Sequence, residues 1–85
     1  MILSTMILQA AAGAVLGKIG AAMAAAIAAI AAAFGIGKIG KSTMEAIARQ
    51  PESAGNLRSS MLIAAGMVEG AALFAIIVCL LTIFF

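Results

Sequence analysis

The chain has 85 residues, of which 66% are hydrophobic and 9% charged, whereas a soluble domain is about 45–50% apolar and about 25% charged. With so little polar surface it is excluded from water as an independent globule, and at this length it could build little core of its own, so lipid and neighbouring chains are its expected surroundings. No His, Trp or Tyr is present, Cys79 is the only cysteine, and the net charge is +2, which excludes the usual zinc sites, a His-based triad, an intrachain disulfide and nucleic acid as a partner.

In chain order, residues 1–18 come first, apolar from Ile7 to Leu16 and ending at Lys18. A secretory signal would begin with a basic region, and here the first charge follows the apolar stretch, so the segment reads as an outer extension of helix 1. Lys18 then reaches toward the headgroups.

Residues 19–48 form the first transmembrane helix with a cytoplasmic extension. The uncharged run Ile19–Gly37 has 19 residues, and a bilayer core needs roughly 20 in a helix. Lys41, Glu45 and Arg49 follow at i, i+4 and i+8, so the helix runs beyond the membrane with alternating charges in support. Its small residues Ala29, Ala31, Ala33, Gly35 and Gly37 fall, at about 100° per residue, on two opposed faces. Small residues let helix backbones approach closely in lipid. Two such faces suit a helix wedged between identical neighbours, and a head-to-tail contact that closes makes a ring. Between them runs a stripe of Met23, Ile27, Ile30 and Phe34, pointing either into the ring or at helix 2.

Residues 49–55 form the loop, with its turn at Arg49, Gln50 and Pro51, because proline cannot continue the helix. The stretch Lys38–Arg58 holds four of the five basic residues, which marks the loop as cytoplasmic and places both termini outside.

Residues 56–85 form the second transmembrane helix. Its large side chains suit an outer, lipid-facing layer, except around Glu69, which is surrounded in sequence by Ala65, Gly66, Gly70, Ala71 and Ala72. Glu69 lies eleven residues past Arg58, about 16 Å deeper and close to the bilayer midplane. A charge there is costly, and an intramembrane acid is a functional site by default. Protonation removes the charge, so Glu69 reads as a reversible proton carrier. Sodium would need several oxygen ligands, and no Ser, Thr, Asn or Gln lies near that depth on either helix. No metal site and no cofactor are expected; the transported ion is H+.

Other candidates are weaker. The run Gly35-Ile36-Gly37-Lys38-Ile39-Gly40 lacks the preceding strand of a phosphate loop. Cys79 reads as a small lipid-facing hydrophobe, and the six methionines as gap fillers.

Two helices, a midmembrane acid on the second and the loop Ala48-Arg49-Gln50-Pro51-Glu52 together resemble the c subunit, or proteolipid, of F-type ATP synthase, over all but about the first fifteen residues. The fold class is then an all-α membrane protein, a two-helix transmembrane hairpin assembling into a closed oligomeric ring, in a bacterial inner membrane. The resemblance implies that the chain is a non-catalytic component, with helix 1 inside the ring and helix 2 outside, rotating against a stator. Glu69 would load a proton from one half-channel, carry it round facing lipid, and release it near an arginine of the stator subunit a. Arg49, Gln50 and Pro51 match the loop that contacts the central stalk. The family's sodium-binding members pair the acid with a following Ser or Thr and a Gln on helix 1; Gly70 and Ile36 stand there instead, which favours protons.

Three other readings make different demands. A holin-like pore-forming hairpin needs neither the midmembrane acid nor the Arg-Gln-Pro loop. A purely structural assembly hairpin would be indifferent to loss of the Glu69 carboxyl. The proteolipids of vacuolar-type ATPases are nearer in kind, but the short single hairpin carries the F-type loop.

Overall fold

A computed structural model describes residues 1–85 as one helical hairpin. Helix α1 spans Ile2–Arg49, a single 3-10 turn spans Pro51–Ser53, and helix α2 spans Ala54–Phe84. The break falls at Gln50, with φ −134° and ψ 72°. Pro51 supplies its cause, since the residue before a proline is driven out of the helical region. The turn costs no unusual backbone, because no residue has a positive φ. Helix resumes so soon that it occupies part of the 49–55 stretch expected as loop.

Of the 78 backbone hydrogen bonds, 74 lie within the helices. That is the condition for a chain in hydrocarbon, where an unsatisfied peptide group costs several kcal/mol. The threonine hydroxyls are satisfied in the same way: Thr43 donates to the carbonyl of Ile39 at 2.7 Å and Thr82 to that of Val78 at 3.0 Å.

The helices pack antiparallel along a seam of small side chains. On α1 it follows Ala21, Ala25, Ala28, Ala32, Ile36, Ile39, Thr43 and Ala46; on α2 it follows Leu57, Met61, Ala64, Val68, Ala72, Ala75 and Cys79, all partly or fully covered. The steps of three and four residues on both helices are those of helices packed at a shallow angle. The stripe Met23, Ile27, Ile30 and Phe34 is exposed. It lies about 160° round α1 from the seam, so it points away from α2.

The molecule measures 75 × 17 × 9 Å, and Ala21 is its one buried residue. Large apolar side chains, from Leu62 and Ile63 to Leu80 and Leu81, are open on the surface. A single hairpin therefore hides almost none of its apolar area, and both helices are long and apolar enough to cross a membrane.

Candidate functional site

Glu69 is exposed and follows Val68, which is partly covered in the seam. One residue on a helix turns the side chain by about 100°. The carboxyl consequently sits on a flank of α2, facing neither α1 nor straight outward. Gly66 and Gly70 on the same helix have open space where a Cβ would be. The backbone around the acid is thus bare, with room for groups of another chain to approach. The three residues after Glu69 are Gly70, Ala71 and Ala72. None offers a side-chain oxygen, so a sodium ion would find one carboxylate and little else.

The other flank of α2 is shaped differently. Val68, Ala71 and Ala72 line a shallow groove with Ala28, Ala31 and Ala32 of α1. Further toward the loop, Lys38, Ser42, Ala46, Ser60 and Ala64 help to line a second hollow. Ala31, Ser42, Ser60 and Ala71 fall, by helical rotation, on the same edge of the hairpin, about 70–100° from the seam. Glu69 lies about 80° from the seam in the opposite sense, with Ala29 and Ala33 of α1 and with Leu62, Leu73 and Leu80 of α2. The hairpin has a hollow edge and a raised edge, and the acid is on the raised one.

Of the five small residues marked in the sequence, Gly35 alone contributes to packing inside the hairpin, partly covered by α2. Ala31 lines the groove, while Ala29, Ala33 and Gly37 are exposed. The seam alanines and the groove residues Ala28, Ala32, Val68, Ala71 and Ala72 do not stand out in the sequence. Their only signal is a step of three or four residues, which is faint in a helix where nearly every position is small.

Arg49 closes α1, and Gln50 and Pro51 make the turn; all three are exposed at the tip. Arg49 also stands in the last turn of its helix, where a cation meets the negative end of the dipole. At the far end, Lys18 lies with Ala14 and Gly17 against Thr82–Phe85, so the last turn of α2 ends beside it. No group of three His, Cys, Asp or Glu side chains is placed to hold a metal ion.

Residues 19–82 match the family model described as the C subunit of ATP synthase. The ATP synthase c subunit of Phocaeicola vulgatus is 66% identical over 96% of this chain and 98% of its own length. That of Bacteroides thetaiotaomicron is 57% identical, again over 96% and 98%. The corresponding protein of Lactobacillus helveticus is 48% identical over 75% of this chain and 83% of its own. With a membrane hairpin carrying one acid halfway along its second helix and a family match across most of its length, the chain belongs to the ATP synthase c-subunit family and is a non-catalytic membrane rotor component of the synthase.

Proposed function

We propose that Glu69 is the proton-carrying group of a closed rotor ring, protonated and deprotonated once per passage of each hairpin past the stator. The observation that carries this reading is the position of the acid. It is the one ionisable carboxyl between Arg58 and Phe85, exposed on the raised edge of the hairpin, with no oxygen-bearing side chain beside it in sequence. In hydrocarbon the neutral carboxyl is tolerated and the carboxylate requires water or a cation nearby.

The two unlike edges support ring closure. When the raised edge of one hairpin enters the hollow edge of the next, the contact is head-to-tail, and such a contact closes into a ring when its rotation fits. The exposed stripe of Met23, Ile27, Ile30 and Phe34 then faces the ring interior, and the large side chains of α2 face lipid. Ala29, Ala31, Ala33, Gly35 and Gly37 are the close-approach positions. The Glu69 carboxyl lies near each boundary between hairpins, where the stator can present its arginine. The arginine stabilises the carboxylate during release and reloading, and away from it the carboxyl travels protonated through lipid.

Arg49, Gln50 and Pro51 form the exposed tip that meets the central stalk and passes on the torque. Four basic residues near that tip favour the cytoplasmic side for the loop, with both termini outside the bacterial inner membrane. One charge crossing the membrane potential is worth about 2.3 kcal/mol per 100 mV, so the ring must add several passages for each product. Many identical acids on one rotor meet that need.

Replacing Glu69 tests the reading. Glu69→Gln keeps the shape and removes the exchangeable proton. The ring should still assemble in the membrane, while proton-driven ATP synthesis falls to background. Synthesis at the wild-type rate in this variant would end the proposal.

A further inference from the structure

Helix α1 runs on where α2 stops. The last turn of α2 lies against Ala14, Gly17 and Lys18, yet α1 begins at Ile2. Residues 2–13 therefore extend about 18 Å beyond the two-layer hairpin, ahead of the segment that matches the family model. Ile2, Leu3, Met6, Ile7 and Leu8 on this extension are 60–78% exposed. A stretch so apolar requires a covering.

The pattern of side chains indicates which one. Below the end of α2, the azimuth of α1 that meets α2 carries Ala21, Ala25, Ala28 and Ala32. Above it, the same azimuth carries Leu3 and Ile7, so large groups stand where α2 is no longer present. The two flanks, by contrast, continue as they were. On the hollow side Gly13, Gly17, Gly20, Ala24, Ala31 and Gly35 share one face, and it passes the end of α2 without interruption. On the raised side Leu8, Ala11 and Val15 continue the face of Ala22, Ala29 and Ala33. Val15 of one copy is at the height of the gap between Gly13 and Gly17 of the next, a knob facing a hole where no Cβ intrudes.

We infer that the occupant is a second copy of this chain: the N-terminal extensions of neighbouring hairpins pack side by side into a single-layer collar that continues the inner ring of α1 helices beyond the α2 layer. The inference rests on the ring reading above. It adds a contact between neighbours outside the two-layer body, made by residues 2–13 through the same two flanks.

Paired cysteines separate the collar from the ring. In a Cys79→Ala background, Ser4→Cys with Met6→Cys places one thiol on each flank of the extension. Ala22→Cys with Ala24→Cys does the same at the same two azimuths, about five turns lower in the two-layer body. Thiols two residues apart on a helix point to opposite sides and do not join within one chain, so a short bifunctional thiosulfonate added to membranes reports neighbours. The collar predicts a ladder of cross-linked oligomers, reaching the full ring, from both pairs. A ladder from Ala22/Ala24 with monomer only from Ser4/Met6 overturns the collar and leaves the ring standing. Monomer from both pairs overturns the ring reading and the collar with it.

Discussion

Val68 packs over Gly35: a Cβ built on the glycine would stand 3.5 Å from Cγ1 of Val68. This contact sets the level at which the helices face each other, and Glu69 is the next residue. The seam is therefore closest beside the acid, and its spacing there holds the carboxyl on the flank.

At that distance a methyl group is in ordinary contact, so Gly35→Ala should leave the hairpin and its stability nearly unchanged. Gly35→Leu has no such room. Overpacking of this kind costs about 1–3 kcal/mol, and here it pushes α2 outward next to Glu69. The expected result is a ring that dissociates at lower temperature in detergent, followed by the loss of high-mass bands on gels. Equal thermal stability of the leucine variant and wild type would show that the seam is looser than this contact implies.

The hollow edge should be more sensitive than the interior stripe. Ala31→Leu fills the groove between Ala28, Val68 and Ala71 without touching the seam, and should prevent hairpins from joining while each still inserts in the membrane. Phe34→Leu, on the face turned away from α2, should be tolerated. Native mass measurement of the extracted protein distinguishes the two, with monomers for the first and intact rings for the second. Intact rings from Ala31→Leu would mean that neighbours meet elsewhere.

Much of this architecture is legible in the sequence, because charge and proline are strong signals in an apolar chain. Lys38 to Arg58 bracket the tip, Pro51 places the break one residue before it, and Glu69 stands out as the only acid deep in an apolar helix. The direction of the Met23–Phe34 stripe is not legible. Both candidate neighbours, α2 and the ring interior, accept large apolar side chains, so the choice depends on which face of α1 the alanines of the seam occupy. Alanine is nearly everywhere on α1, and a pattern without contrast carries no direction until α2 is placed against it. The unlike edges are hidden for the same reason: Ala31 and Ala33 are the same residue, but one lines a groove with α2 and the other lies on the side of Glu69.

The tip should uncouple when altered, without loss of the ring. Arg49→Glu reverses a charge at the end of α1 where the dipole also favours a cation, an effect of about 0.3–1 kcal/mol, too small to dissolve a ring. If the tip carries torque, ATP hydrolysis by the whole complex should continue while proton pumping falls several-fold, read from acidification in inverted membrane vesicles. Pumping at the wild-type ratio to hydrolysis would remove Arg49 from the contact with the stalk.

The central claim is that the Glu69 carboxyl binds and releases protons, and its protonation can be read chemically. A hydrophobic carbodiimide attacks the protonated acid within lipid, so in membranes at a series of pH values it should modify Glu69, leaving Glu45 and Glu52 at the aqueous end untouched. The rate should rise as pH falls and stay the same when millimolar sodium is added, measured by mass on the intact chain. Modification that ignores pH, or that sodium suppresses, would contradict a proton-carrying Glu69.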